Sequence, residues 1–229
     1  MKLVFIHGSG ESSISFYYQM RHFRNSKGLD LPGHPFGKPC TSIEGYVEWV
    51  RGFITARRYK DVILCGHSMG GAIAQQFGLM YPDEVKGLIL LGTGARLRVD
   101  PKYIQEAEEG EKDLEGWLGA RRSTLARVPN DVLEMLMRKG VEVGPAVQYN
   151  DLMCCDRFDV MDQVHQISIP TYVMCGSEDV MTPVKYTDYL EEQIPDARKA
   201  VIQGASHFAQ VEKPYEVNSA IEEFLTTFK

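Results

Sequence analysis

The chain has 229 residues, of which 44% are hydrophobic and 24% charged, and 25 basic against 31 acidic side chains leave a net charge of −6. At roughly 100–200 residues per domain this length fits one domain carrying a sizeable insertion, and the composition excludes a disordered, collagen-like or coiled-coil chain. The longest basic runs are Arg57-Arg58 and Arg121-Arg122, too short to track a phosphate backbone, so nucleic acid is not an expected partner.

In chain order, Leu3 to Ile6 is the first apolar run. Its four residues fall short of the ~7–15 of a signal-peptide core, and no stretch approaches the ~18 of a membrane span. No secretion signal and no membrane association are therefore expected. Lys27 to Leu31 is a weaker, more polar strand candidate before the turn Pro32-Gly33-His34. Ile43, Tyr46, Val47, Val50 and Ile54 recur at spacings of three and four, which predicts a helix over 43–58. Further strands are predicted at Val62 to Cys65, Leu88 to Leu91, Tyr172 to Cys175 and Ala200 to Ile202, and Ile221, Phe224, Leu225 and Phe228 mark a last helix. Near-continuous apolar strands suit a parallel sheet covered on both faces, so the fold class is α/β.

Between about Arg96 and His165 the strand signal stops. Helix starts take its place at Asp100-Pro101, Asp131-x-x-Glu134 and Gly144-Pro145, with Gly140 read as a helix stop. The boundary Ile169-Pro170 returns the chain to a strand. The expected organisation is a core of 1–95 and 166–229 with a helical cap over 96–165. The acidic stretch Glu106 to Glu115 is expected on an exposed face, because dense like charge resists burial.

The sharpest feature is Gly66-His67-Ser68-Met69-Gly70-Gly71, directly after one predicted strand and before the helix-like run Ala72 to Met80. A tight strand-to-helix turn forces the serine into a strained conformation, and small residues two positions to either side let backbone approach without a clash. A serine hydroxyl is a poor nucleophile unless a histidine, held by a carboxylate, takes its proton. Gly176-Ser177-Glu178-Asp179 and Gly204-Ala205-Ser206-His207 supply both groups just past the carboxyl ends of two later strands, the edge where sites assemble in open α/β sheets. Asp179 is preferred to Glu178 by its spacing from Gly176.

His7-Gly8, Gly66 to Gly71, Gly176-x-x-Asp179 and Gly204-x-x-x-His207 together make the chain resemble a capped serine hydrolase, carboxylesterase-like, of the α/β-hydrolase superfamily. The resemblance spans nearly the whole chain. It implies a mostly parallel sheet, with Ser68 as nucleophile, His207 as base and Asp179 as acid; as a departure, the chain begins at what resembles the family's third strand, so about six strands are expected and the family's first two are not. It further implies an oxyanion hole from the backbone amides of Met69 and Ser9, with Gly10 as the fallback for Ser9. His7 is then structural. One departure is Asp30-Leu31-Pro32-Gly33-His34-Pro35-Phe36-Gly37, where Pro35 replaces a glycine of the family's turn.

His22, His34 and His165 have no metal-ligand spacing, so neither a metal nor a cofactor is expected. The five cysteines, Cys40, Cys65, Cys154, Cys155 and Cys175, are odd in number and lack a Cys-x-x-Cys pair, which favours a reducing, cytoplasmic setting. Cys154-Cys155 is read as packing, and Cys65 and Cys175 as buried strand residues. Phe16, Tyr17, Tyr18, Trp117, Leu133, Met135, Leu136, Met137, Tyr149 and Met153 are candidates for pocket lining, although burial of the cap against the sheet is the commoner fate of any one. The expected partner is a small-molecule ester with an apolar acyl group. Thioesters, carbon–carbon bonds of diketones and a hydrolase-like small-molecule receptor are the alternatives. Oligomeric state has no signature in the sequence.

Overall fold

A computed structural model describes residues 1–228. Six strands form one sheet: β1 (Lys2–Ile6), β2 (Ser26–Leu29), β3 (Val62–His67), β4 (Gly87–Leu91), β5 (Thr171–Gly176) and β6 (Ala197–Ile202). Their order is β2-β1-β3-β4-β5-β6, and every neighbouring pair is parallel. The predicted α/β class, the strand number and the parallel sheet all match. The weak strand candidate is real, although it runs from Ser26 to Leu29 and pairs with β1 as an edge strand.

Alternation along the apolar strands explains why they lack polar positions. Val4, Ile6, Leu64, Leu88, Leu90 and Val173 belong to one core cluster, packed under α2 (Ile43–Ala56) and α3 (Met69–Met80). Their sequence neighbours Leu3, Phe5, Ile63, Cys65, Ile89, Leu91 and Met174 belong to a second cluster, with Val217, Ile221 and Phe224 of α10 (Pro214–Leu225). Side chains two apart point the same way, so a strand buried on both faces must be apolar throughout. Each fully buried Leu, Ile or Phe contributes roughly 1.5–3 kcal/mol relative to exposure. The remaining core helices are α1 (Tyr17–His22), α8 (Val184–Gln193) and α9 (Ala209–Glu212).

The segment between β4 and β5 is a helical insertion: α4 (Pro101–Glu109), α5 (Leu114–Thr124), α6 (Asn130–Val143) and α7 (Pro145–Arg157). An isolated antiparallel bridge between Arg96 and Asp159 ties its two ends together. Its helices correct one expectation and meet two others. First, α6 begins one residue before Asp131 and passes through Gly140 to Val143, so Gly144, at φ +85°, is the stop. Gly140 serves packing instead, because a Cβ there would lie 2.2 Å from the Arg121 guanidinium. Second, α5 starts inside the acidic stretch, capped by Asp113, which accepts from Gly116 N; Glu111 to Glu115 are exposed, but Ala107 and Gly110 turn inward. Third, Leu133, Leu136 and Met137 form a cluster with Leu125, Val132, Phe208 and Val211, and Tyr17, Tyr18 and Met135 pack against it. These residues seat the insertion on the core. No helix among the described residues is long and apolar enough to cross a membrane.

Candidate active site

The strand order reverses direction between β1 and β3, so the loops leaving their carboxyl ends diverge and open a crevice. Ser9 leaves β1 on one side of this crevice and Ser68 leaves β3 on the other. Ser68 sits at φ +54°, ψ −116°, a region that L-residues other than glycine seldom occupy, directly before α3. Two glycines make that turn possible. A Cβ on Gly66 would lie 2.0 Å from Gly70 O, and one on Gly70 would lie 2.1 Å from Ile6 O. No side chain tolerates such approaches, which is the steric reason for small residues on both sides of Ser68. Ser68 N donates to Leu91 O at 3.0 Å, and Thr93 Oγ1 donates to Ser68 O at 2.9 Å, fixing the turn from the next strand.

Asp179 follows β5 and His207 follows β6. Asp179 is 5% exposed and His207 8%, whereas Glu178 is exposed and pairs with Arg127 on the surface. Of the two carboxylates, Asp179 is the one placed beside His207. Asp179 Oδ2 lies 2.9 Å from His207 Nδ1 and accepts from Thr182 Oγ1 at 2.7 Å, while Oδ1 accepts from Met181 N and Thr182 N, each at 2.9 Å. Burial pushes this carboxyl up, but the adjacent His207 and the Thr182 donors outweigh it and hold the group down at about 2. An ionised carboxylate only accepts, so Nδ1 of His207 carries the proton of this contact.

His67, read in the sequence only as the variable residue of the motif, has a positional role. Its Nε2 donates to His207 O at 2.9 Å, tying the His207 loop to the Ser68 turn. Its Nδ1 is buried without a hydrogen-bond partner, and burial together with neighbouring His207 lowers its pKa to about 3, so the ring is neutral. Gly92, at φ +54° after β4, lets the His207 loop cross: a Cβ there would stand 3.3 Å from His207 O. Thr182 is a second partner that the sequence did not single out.

Ser68, His207 and Ser9 line one cavity of about 830 Å³. Neither Met69 N nor Ser9 N has a hydrogen-bond partner among the described residues, whereas Gly10 N is committed to Asp151 Oδ2 at 2.9 Å. No hydrogen bond joins Ser68 to His207 among the described residues. Such contacts are commonly long before substrate binds.

The cavity wall comes from residues that the sequence did not flag. Leu97, Val99, Leu125, Leu152, Met181 and Phe208 supply apolar surface, and Glu11, Arg121 and Gln148 polar surface. The proposed aromatic and methionine candidates are not among its lining residues, Trp117 instead donating Nε1–H to Gln148 Oε1 at 2.6 Å behind the wall. Cys155 does reach the cavity, but burial raises its thiol far above the usual range, as expected of a packing residue. Cys65 and Cys175 are fully buried. His7 is buried and structural: its Nδ1 donates to Gly8 O at 2.8 Å and its Nε2 accepts from Leu31 N at 3.1 Å. His22 pairs with Glu222 on the surface, at 2.7 Å. Among the described residues no group of three or more His, Cys, Asp or Glu stands placed to hold a metal ion.

Comparison with known proteins gives this geometry a context. A thermophilic esterase of known structure superposes with a TM-score of 0.84 at 31% identity, covering 99% of this chain and 90% of that one. A putative esterase/lipase of Mycoplasma pneumoniae is 26% identical over 253 residues, 99% of this chain and 89% of its own. The (E)-2-((N-methylformamido)methylene)succinate hydrolase of Acinetobacter baylyi is 26% identical over 245 residues, 98% of this chain and 90% of its own. The profile described as "Alpha/beta hydrolase family" matches residues 3–220, and the chain belongs to that family.

Proposed function

We propose that the protein is a serine carboxylesterase that cleaves esters of small or medium apolar acyl groups through an acyl-enzyme. The observation that carries this reading is the meeting, in one cavity, of a serine on a strained strand-to-helix turn and a histidine whose Nδ1 is bound to a buried carboxylate. In the proposed mechanism His207 Nε2 takes the Ser68 proton as Oγ attacks the ester carbonyl carbon. The resulting oxyanion is held by Met69 N–H and Ser9 N–H, amides that have no other partner among the described residues. The C–O bond to the alcohol then breaks, and His207 gives its proton to the departing oxygen. Water, deprotonated by the same nitrogen, attacks the acyl carbon; the bond to Ser68 Oγ breaks, Oγ takes the proton back from His207 and the acid is released. Asp179 orients the ring and stabilises its charged form without taking the proton.

Residues 96–165 act in this reading as a cap on the core of 1–95 and 166–229, and Leu97, Val99, Leu125, Leu152, Met181 and Phe208 offer an apolar acyl group a place on a cavity wall that also carries polar and charged side chains. Five free cysteines, four of them buried, support a reducing, cytoplasmic setting.

The test is steady-state hydrolysis of p-nitrophenyl esters of increasing acyl length, with Ser68→Ala in parallel. Sustained turnover that the variant loses supports the reading, and the length optimum sizes the acyl site. Turnover retained by Ser68→Ala, or none in the unaltered protein, sinks it and directs the search to thioesters, carbon–carbon bonds or a receptor role.

A further inference from the structure

Three successive residues after β1 are each held by a different residue of the insertion. Ser9 Oγ donates to Gln148 O at 3.3 Å, Gly10 N donates to Asp151 Oδ2 at 2.9 Å, and Glu11 Oε1 accepts from Arg121 Nη2 at 2.8 Å. Gly10, at φ +64°, lies so close to α7 that a Cβ would stand 2.8 Å from Gln148 Cγ. From the core side, among the described residues, the loop backbone is held at Gly8 O, which accepts from Glu11 N at 3.2 Å and from His7 Nδ1 at 2.8 Å.

Asp151 is the fixed point of this arrangement. It is fully buried, and besides Gly10 N it accepts from His34 Nε2 and Tyr46 OH, each at 2.8 Å. His34 Nδ1 faces Pro32 O at 3.0 Å. Both ring nitrogens therefore face acceptors, which requires both to carry protons and makes His34 an imidazolium paired with a buried carboxylate. A carboxylate gripped by a cation and a phenol has little freedom, and neither has the peptide that donates to it.

We propose that Asp151 is a positioning residue for the oxyanion site: through Asp151, helped by Gln148 and Arg121, the insertion holds the Ser9 amide at the place where charge develops on the substrate. This rests on the serine esterase reading. It makes the insertion a fixed wall of the reacting centre, whose displacement would dismantle the site that it covers, rather than a lid that opens on each turnover. An oxyanion donor stabilises the tetrahedral state far more than bound substrate, so misplacing it should lower kcat and leave KM nearly unchanged.

The experiment compares Asp151→Asn with the unaltered protein on p-nitrophenyl butyrate, on inhibition by an alkyl trifluoromethyl ketone and on competition by butyrate. The ketone forms a hemiketal oxyanion on Ser68, whereas butyrate reports ground-state binding. Expected are a fall in kcat of about 10- to 100-fold, an equal weakening of ketone inhibition, and changes of less than about threefold in KM and butyrate binding. Leu136→Ala, which truncates the cluster seating the insertion, controls for instability: it should lower the melting temperature and leave ketone inhibition unchanged. Should Asp151→Asn not fold, His34→Gln removes the cation from the same oxygen and should shift kcat and ketone inhibition together, in the same direction by less. Ketone inhibition unaltered in the folded Asp-site variant, or weakened equally by Leu136→Ala, overturns the positioning role while Ser68-dependent turnover keeps the esterase reading intact. Loss of that turnover in the unaltered protein overturns both.

Discussion

The turn after β3 and the insertion between β4 and β5 face each other across one cavity, yet they are built on opposite principles. In the turn, contacts between residues a few positions apart and a neighbouring strand determine everything: Gly66 is small because Gly70 O is there, and Gly70 because Ile6 O is there. In the insertion, residues with the same apolar character have different fates according to where distant segments lie. Leu133 is buried on Phe208 and Val211, whereas Leu152 faces the cavity. Local rules thus describe the Ser68 turn, and only packing describes the cavity wall that faces it.

The largest expected effect tests the turn. Ser68→Ala should lower kcat by about 10³-fold or more, measured on the ester series, while the protein stays folded. Ser68→Gly should be equally inactive yet more stable by on the order of 1 kcal/mol, because glycine accepts φ +54° without strain. A Ser68→Gly protein with a lower melting temperature would break the claim that strain is stored there. Gly70→Ala should destabilise by about 3 kcal/mol or more, or prevent folding, since the added Cβ meets backbone that cannot yield; a denaturation midpoint near the parent's would refute that steric account.

Two substitutions sharpen the contrast within the insertion. Leu133→Ala should cost about 2–4 kcal/mol in urea denaturation and leave the acyl-length optimum in place. Leu152→Phe should shift the optimum to shorter acyl chains with little loss of stability, because its side chain borders the cavity rather than filling the core. If Leu133→Ala moved the optimum and Leu152→Phe did not, the division between seating and lining residues would be wrong.

A smaller effect separates the two regions by pH. Buried His7 and His67 are held down at about 3, each first by burial and then by a neighbouring histidine, so between pH 6.5 and 3 the unfolded chain binds protons that the folded one refuses. Their contribution to stability is present above about 6.5 and is lost as pH falls towards 3. His34 has the opposite sign: its pKa is raised despite burial, because Asp151 outweighs it, so its contribution is full below 6.5 and fades as pH rises through the raised value. Asp179, held at about 2, loses its contribution only as pH falls from about 3.8 through 2. Urea midpoints should therefore drop on acidification below pH 6, and His67→Gln should flatten that slope. An unchanged slope would show that His67 titrates normally.

Much of the site was legible in the sequence. Ser68, Asp179 and His207 each follow a predicted strand and a glycine, and the structure brings all three to one edge of the sheet, with Ser68 and His207 on the cavity itself. Spacing does not separate Ser9 from Gly10, because what differs between them lies far along the chain: Gly10 N is taken by Asp151, 141 residues away. His67 and Thr182 were invisible for a similar reason, since their roles depend on the carbonyl of His207 and the carboxylate of Asp179 rather than on any motif. Gly140 was mistaken for a helix stop because the guanidinium that it accommodates comes from another helix.

By itself the sequence determined the class of sheet, the strained turn and the order of its candidate reactive residues, because alternation along strands and steric limits at glycines act over a few residues. Only the tertiary structure decided which face of the insertion meets the cavity, which amide beside Ser68 is left unpaired, and which histidines are charged. Those properties depend on burial and on hydrogen-bond partners that folding brings from far along the chain.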